Sequence, residues 1–197
     1  VYSVDEIRAI SEIAKKNNLF LHMDGSRISN AAVSLNKEFK SFTVDAGVDV
    51  VSFGGTKNGM MFGEAVVIFN PELSKNFSFL RKQGMQLHSK MRFISSQFGA
   101  MLSNDLWKRN ASHSNQMAKK LEAGLRQFKT IRITQTVDAN GIFAIFPSSI
   151  IPALQETGFF YVWNEKISEV RLMCSWDTTE EDVNKFLKSL GDKLNTL

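Results

Sequence analysis

A lysine in a glycine-rich segment is the first feature of this sequence that could do chemistry. Lys57 stands within GGTKNG, residues 54–59. A desolvated lysine amine with a lowered pKa can form a Schiff base with a carbonyl compound, and glycines let the backbone come close to a bulky ligand. The segment therefore points to covalent catalysis, although a lysine in a loop is often only a solvated side chain.

A phosphate-binding loop is the other familiar use of a lysine among glycines. The nucleotide-binding pattern GxxxxGK[ST] surrounds phosphates with backbone N–H groups. It would need glycine at the positions of Val51 and Thr56, and serine or threonine at the position of Asn58. The sequence therefore disfavours nucleotide hydrolysis.

Asp24 is a candidate partner for Lys57. The apolar run LFLHM, residues 19–23, predicts a buried strand of a parallel sheet that stops at Asp24 and Gly25. Open α/β sheets bind ligands at the carboxyl ends of their strands, and enzymes that use pyridoxal phosphate (PLP) pair an acidic residue with its pyridine nitrogen. Asp24 suits that role, and a turn or helix-cap residue is the alternative.

Four predicted elements should position these two residues. Ser3 and Glu6 match a capping box, so we expect a helix over residues 4–16. The predicted strands are residues 19–23, 48–53 and 64–69. Lys57 would then lie in the loop between the second and third strands.

The rest of the chain alternates helix and strand. A broadly helical stretch is predicted over residues 93–128, with breaks near Asn104 or His113. Further predicted elements are strands at residues 131–137, 141–146, 159–163 and 169–176 and a short helix at residues 148–157. Thr178 and Glu181 are expected to cap a last amphipathic helix. These elements predict an α/β protein whose last part is a compact α/β sandwich.

Composition excludes several functional classes. The 197 residues are 43% hydrophobic and 22% charged, which is typical of a globular protein, and the formal net charge of +4 is spread among acidic residues. This distribution does not favour nucleic-acid binding, and no apolar run approaches the roughly 20 residues of a membrane span. The densest cationic stretch could bind an anionic ligand or be a solvated helix end; it consists of Arg81, Lys82, Lys90 and Arg92.

The sequence predicts less about the single cysteine and the histidines than about Lys57 and Asp24. Cys174 is the single cysteine, so no internal disulfide can form, and it shows no metal-ligand spacing with the histidines. We expect it to be a packed thiol, and we expect the protein to lie in a reducing, cytoplasmic setting. His88 and His113 are candidates for proton transfer but are more typical of surface or interface residues. His22 would either orient Asp24 or lie in the core.

Two segments resemble those of threonine aldolases and related β-eliminating lyases. Residues 22–27, HMDGSR, are similar to the segment H-x-D-G-[AS]-R of that family, and Asn30 and Ala31 continue the similarity. Residues 48–59, VDVVSFGGTKNG, resemble the PLP-lysine segment in its T-K-N-G version. The resemblance extends over essentially the whole chain, through residues 81–82, 89–93, 105–107 and 170–173.

The resemblance implies how the first part of the chain would bind the cofactor. Lys57 would carry PLP covalently, and Asp24 would pair with the pyridine nitrogen. Thr56 would support the lysine or the cofactor phosphate. PLP would then delocalise the electrons left on the substrate when the bond between Cα and Cβ breaks.

The resemblance also implies substrate and subunit contacts. Arg27 and Arg171 would bind the substrate carboxylate, a task suited to planar bidentate donors. Arg92 matches an arginine that, in family members, reaches a cofactor phosphate in the adjoining subunit. A homodimer or homotetramer is therefore expected.

The implied fold is that of the aspartate-aminotransferase-like PLP enzymes, known as fold type I. Residues 1–105 would be the carboxy-terminal part of the large PLP-binding domain, residues 106–128 a bridging helix, and residues 129–197 a small α/β domain. The implied reaction is aldol cleavage of β-hydroxy-α-amino acids, of the L-threonine or phenylserine type, to glycine and an aldehyde.

Departures from the family pattern leave alternatives open. Family members have a longer amino-terminal region that supplies a glycine-rich phosphate site and a residue stacked on the ring, so this chain alone is expected to bind PLP poorly. Another PLP lyase or racemase of the same fold type would use the same residues, since they do not select the bond that breaks. A truncated, non-catalytic oligomerisation fragment is a further alternative. The substrate side chain, the stereochemistry at Cβ and the catalytic base stay open.

Overall fold

The chain forms two compact units. The structure, a computed structural model, describes residues 1–196, so Leu197 at the end of the predicted domain 129–197 lies outside it. The first unit is Val1–Asn110 and the second begins at Ala111. The predicted division at residues 105 and 128 stays a prediction.

The first helix has the predicted bounds. Helix α1 spans Val4–Lys16, and its capping box is formed by Ser3 and Glu6. The Ser3 amide donates to the Glu6 carboxylate (2.7 Å) and the Glu6 amide donates to Ser3 Oγ (3.2 Å). These bonds satisfy N–H groups that a helix start leaves without partners.

The first strand begins later than predicted. Strand β1 spans His22–Gly25, whereas residues 19–23 were expected and Asp24 and Gly25 were expected to end it. Asn18 has a left-handed backbone (φ 55°), and the Leu19 amide bonds back to Ala14, so this stretch completes the end of α1 instead. Leu19 and its neighbour Phe20 are accordingly exposed rather than buried.

The sheet of the first unit places Asp24 on the strand next to the one that precedes Lys57. Among the described residues it has three strands in the order β1-β2-β3, with β2 at Val50–Gly54 and β3 at Glu64–Ile68. Strands β1 and β2 are parallel, and Asp24 is aligned with Ser52. Strand β3 is antiparallel to β2. The carboxyl ends of β1 and β2 therefore lie at the same edge of the sheet.

Helices pack against this sheet and connect its strands. Besides α1, the first unit contains the helices α2 (Ile28–Leu35), α3 (Phe39–Phe42), α4 (Phe77–Gln83) and α5 (Arg92–Leu102). The buried core consists of Ile7, Ile28, Ala32, Phe42, Ala46, Val48 and Val51. Burial of these apolar groups holds α1 and α2 against the face of the sheet.

The predicted helical stretch 93–128 is two helices with one break. Helix α6 spans Leu106–Leu125 and follows α5 after a short turn. Asn104 and Asp105 have left-handed backbones (φ 51° and 56°), which ends the regular helix at the predicted place. Of the two places named for a break, Asn104 is the one found, and the alternative, His113, lies inside α6.

The second unit is an antiparallel sheet with helices. Its strands, in the order β4-β5-β7-β6, are β4 (Arg132–Ile133), β5 (Gly141–Ile145), β6 (Tyr161–Asn164) and β7 (Glu169–Met173). Helices α7 (Ile151–Gln155) and α8 (Glu180–Leu194) complete it. Strand β4 is much shorter than the predicted 131–137, and Gln135 and Thr136 are exposed.

The cap of the last helix differs from the prediction by one residue. Thr179 and Asp182 form the capping box of α8, in place of Thr178 and Glu181. The hydroxyl of Thr178 instead accepts a hydrogen bond from the Ser175 amide (2.7 Å), so it is committed to the preceding turn.

None of the helices described within residues 1–196 combines the length and the apolar character that crossing a membrane requires. Over the same residues, His, Cys, Asp and Glu side chains form no group of three or more that could hold a metal ion.

Candidate active site

The Asp24 carboxylate is held by the residue that follows the strand. The Ser26 hydroxyl and the Ser26 amide both donate to Asp24 Oδ1, the amide at 2.9 Å. These two bonds, the hydroxyl first, lower the pKa of Asp24 below its usual range, with smaller contributions from the charges of Lys57 and His22. Asp24 is therefore an ionised carboxylate at neutral pH, within electrostatic range of the Lys57 ammonium.

Glycine at position 54 lets the two strand ends touch through their backbones. A Cβ atom on Gly54 would lie against the Ser26 carbonyl, 2.6 Å from its carbon and 2.7 Å from Ser26 Cα. A real Cβ atom does not approach backbone this closely. The absence of a side chain at Gly54 thus brings the start of the lysine segment directly onto the turn after Asp24.

The lysine segment itself is a short, braced turn. Residues Thr56–Asn58 form a single 3-10 turn that ends at Gly59 in a left-handed conformation (φ 106°). Thr56 Oγ1 accepts a hydrogen bond from the Gly63 amide (3.0 Å). Thr56 thereby ties the turn to the start of β3.

Lys57 is exposed, which corrects the expectation of a desolvated amine. It lies in the turn that follows the end of β2. Asp24 is exposed as well, and two surface cavities of about 400 and 690 Å³ are lined by neither residue. In this chain the candidate site is an open surface at the sheet edge.

Asn58 anchors the lysine turn in the interior. Its side chain is 3% exposed and donates from Nδ2 to the carbonyl oxygen of Trp107 (3.1 Å). Asn110 in turn donates from Nδ2 to the carbonyl oxygen of Asn58 (2.8 Å). Two hydrogen bonds therefore fix the residue next to Lys57 to the first turns of α6.

His22 is a surface residue beside the site and not the core histidine that was one expectation. It is exposed, and its Nε2 lies 2.8 Å from the hydroxyl oxygen of Ser52. The other histidines lie elsewhere: His88 is exposed and stacks edge-on with Phe62, and His113 Nε2 bonds to the carbonyl oxygen of Thr178 (2.7 Å).

Arg27 and Arg92 occupy helix starts. Arg27 is the half-buried N-cap residue of α2, three residues after Asp24. Arg92 is the exposed first residue of α5, with its guanidinium carbon 5.2 Å from the centre of the Phe93 ring. Within residues 1–196, no hydrogen bond or ion pair joins Arg92 to Asp24 or Lys57. The structure thus places Arg27 close to the end of β1, and it shows no bond from Arg92 to either residue in the part of the chain that is described.

Arg171 belongs to the second unit. It lies on β7, and its guanidinium carbon is 5.2 Å from the centre of the Trp163 ring. Its Nε atom is buried and has no hydrogen-bond partner among the described residues. Cys174, just beyond the same strand, is the packed thiol that was expected: it is buried, and burial raises its pKa to about 11.

Sequence reasoning missed the residues that support the site. Ser26, Gly54 and Asn58 were each part of a recognised segment but were given no role of their own. For Ser26 a signal was present, because an aspartate two residues before a serine commonly accepts from its backbone in an Asx turn. For Asn58 no local signal exists, since its partner lies 49 positions away.

Comparison with known proteins identifies relatives over almost the whole chain. The sequence model described as β-eliminating lyase matches residues 1–147. A low specificity L-threonine aldolase of Pseudomonas aeruginosa is 41% identical over 193 residues, which is 96% of this chain and 55% of the relative. The chain therefore spans about half the length of such relatives.

Solved structures agree with this match. The threonine aldolase of Leishmania major superimposes with a TM-score of 0.86 at 31% identity, covering 97% of this chain and 56% of that one. A PLP-dependent aminotransferase from Streptococcus suis has a TM-score of 0.75 at 14% identity over 100% of this chain and 54% of its own, which shows the fold alone. The prediction of an α/β chain that forms part of the aspartate-aminotransferase-like fold is confirmed.

Proposed function

Because this chain belongs to the β-eliminating lyase family, we propose that it carries part of the active site of a PLP enzyme that cleaves β-hydroxy-α-amino acids. The products would be glycine and an aldehyde, with L-threonine or phenylserine as substrate. The observation that carries the proposal is that Lys57, in the turn after β2, lies within electrostatic range of Asp24 on the parallel neighbouring strand.

The residues at this edge fit PLP chemically. Asp24 has a lowered pKa and stays ionised, which suits a pairing with a protonated pyridine nitrogen. Lys57 offers an exposed amine for covalent attachment. Bound in this place, PLP supplies a conjugated cation that accepts the electron pair left at the substrate Cα.

Arginines would hold the substrate. Arg27 follows Asp24 at the start of α2, and Arg171 presents a guanidinium whose buried Nε lacks a partner in the described part of the chain. A substrate carboxylate held by planar guanidinium groups has a fixed orientation, and orientation decides which bond to Cα lies perpendicular to the ring and breaks. Thr56 would brace the lysine turn through its bond with Gly63.

A second subunit would complete the site. In the described part of the chain, Arg92 has no bond to Asp24 or Lys57. Apolar side chains nearby are largely exposed, with Phe93 at 62% and Met61 at 83%. Surfaces of this kind are typical of protein interfaces. We propose that Arg92 reaches the cofactor phosphate of an adjoining subunit in a homodimer or homotetramer.

Covalent trapping tests the central assignment even if the isolated chain binds PLP weakly. The chain is incubated with PLP, reduced with borohydride to fix any imine, digested and analysed by mass spectrometry. Lys57 should be the dominant modified residue, and the modified peptide should vanish in Lys57→Ala but persist in Lys75→Ala, which removes another exposed lysine of the first unit. Equal modification of all exposed lysines would contradict the proposal.

Product analysis tests the reaction class. The longest protein expressed from the coding sequence is incubated with PLP and, in turn, threonine, phenylserine and a β-substituted alanine. Glycine plus an aldehyde supports aldol cleavage. Pyruvate plus ammonia would instead favour elimination by another lyase of the same fold.

A further inference from the structure

The environment of Arg171 requires a physical explanation. Its side chain is half-buried, its Nε atom is fully buried without a hydrogen-bond partner, and it forms no ion pair within residues 1–196. An unmatched buried donor on a charged group costs free energy, so such groups are normally paired. Arg171 thus has no anionic partner of its own among the described residues, and an external anion would have to reach the accessible part of its half-buried side chain.

Trp163 contacts this guanidinium without hydrogen bonding to it. The guanidinium carbon of Arg171 lies 5.2 Å from the centre of the Trp163 ring, within the range of a cation–π contact. Trp163 is fixed in turn by Phe143, edge-on at 5.4 Å between ring centres. Phe143 is the cross-strand partner of Arg171, so the three side chains lie on one face of the sheet.

The nearest acidic side chain on the same strand is engaged elsewhere. Glu169 lies two residues before Arg171 and so on the same face of β7. Its carboxylate accepts a hydrogen bond from the Thr134 hydroxyl (2.5 Å), and no ion pair joins it to Arg171 in the described structure. The protein thus keeps its own carboxylate from occupying this guanidinium.

From these contacts we infer that Trp163 is a positioning residue: its cation–π contact holds the Arg171 guanidinium in place and takes up none of its N–H donors, which stay free for a carboxylate. The inference rests on the proposed role of Arg171 in substrate binding. A stacked ring occupies only the face of the guanidinium, whereas the hydrogen-bond donors point outward in its plane. A contact with the ring therefore fixes the group without using the hydrogen-bond donors that a carboxylate needs.

Nuclear magnetic resonance of the ¹⁵N-labelled chain tests this directly. The Arg171 Nε–H signal is assigned by its loss in Arg171→Lys and followed during titration with glycine. Methylammonium chloride is the control, because it carries the ammonium group of glycine without the carboxylate. Trp163→Leu should raise the apparent dissociation constant about three- to tenfold, the range expected for one cation–π contact. Trp163→Phe should restore most of the affinity, and Trp176→Leu, another exposed tryptophan of the second unit, should leave it unchanged.

A second readout separates this inference from the proposed function. Without glycine, Trp163→Leu should remove the ring-current shift of the Arg171 Nε–H signal and speed its exchange with water. If glycine moves no signal in the wild-type chain, the carboxylate role of Arg171 fails, and the ring-current change alone decides whether Trp163 positions it. An Arg171 signal that is the same in Trp163→Leu as in wild type, or equal glycine affinity of both, overturns the inference.

Discussion

The buried side chain of Asn58 is hydrogen-bonded to the main chain of Trp107, across 49 positions of sequence. This bond and its neighbour from Asn110 make the lysine turn part of the folded interior, although Lys57 itself is exposed. A covalent cofactor site needs such support, because an amine on a mobile loop cannot hold a ring in one orientation.

Asn58→Ala should destabilise the first unit. The change removes a part-buried hydrogen bond to the carbonyl of Trp107, and a bond of this kind typically contributes about 0.5–1.5 kcal/mol. Urea titration followed by circular dichroism would measure the loss of stability. We also expect PLP to be trapped more slowly at Lys57. Asn76→Ala is the matched control, because Asn76 is exposed and its side chain makes no capping bond. Equal losses in the two variants would contradict the anchoring role.

Gly54→Ala should be destabilising where Gly99→Ala is not. A Cβ at Gly54 would meet the backbone of Ser26, which cannot move aside as a flexible side chain could, and overpacking of this kind costs about 1–3 kcal/mol or more. Gly99 lies in α5 with nothing within 4 Å of an added Cβ, so alanine there should stabilise by about 0.5–1 kcal/mol. Thermal unfolding of both variants checks the difference in sign.

Ser26→Ala should raise the pKa of Asp24 toward its ordinary value. The hydroxyl bond from Ser26 is the largest cause of the lowered pKa, and the variant removes it. A lowered pKa in the folded state adds stability that is present above the unfolded pKa and is lost as the pH falls through the folded pKa. Because the variant lacks part of this stability, it should lose less on acidification. Titration of the Asp24 side-chain carbon signal by nuclear magnetic resonance measures the shift, with the exposed Ser34→Ala as control.

Thr134→Val should weaken carboxylate binding at Arg171. Without the Thr134 hydroxyl, the buried Glu169 loses its donor and can turn toward the guanidinium on the same strand face. We expect a loss of about 1–3 kcal/mol in stability and weaker binding of glycine. Thr136→Val, at an exposed position just beyond, should change neither. Unchanged glycine affinity in Thr134→Val would show that Glu169 does not compete.

Cys174 should be inert until the second unit unfolds. Burial raises its pKa to about 11, so the reactive thiolate is scarce at pH 8, and alkylation should be at least about a hundredfold slower than for a free thiol. The stability linked to this raised pKa is fully present below the unfolded thiol pKa of about 8.5 and is lost as pH rises toward about 11. Labelling with iodoacetamide at increasing urea concentrations, repeated at several pH values, measures the reactivity of the thiol and the pH dependence of the stability. Rapid labelling in the absence of urea would contradict it.

Local patterns predicted those elements that local chemistry decides. The capping box at Ser3 and the break at Asn104 depend on near neighbours and are found where expected. The start of β1 and the cap of α8 were misplaced, because a left-handed residue at Asn18 and a bond to Thr178 from the preceding turn outweighed propensity. The bonds of Asn58 and the stacking of Trp163 depend on tertiary partners, which spacing in one sequence does not reveal.

The parallel pairing of β1 with β2 also limits how sequences of this kind can vary in length. Strands pair in whole-residue steps, so one residue inserted within His22–Gly25 would send the carboxylate of Asp24 to the opposite face. An insertion in the exposed turn at residues 36–38 leaves the same pairing untouched. Natural length polymorphism should therefore collect in that turn, while the strand itself evolves by substitution alone.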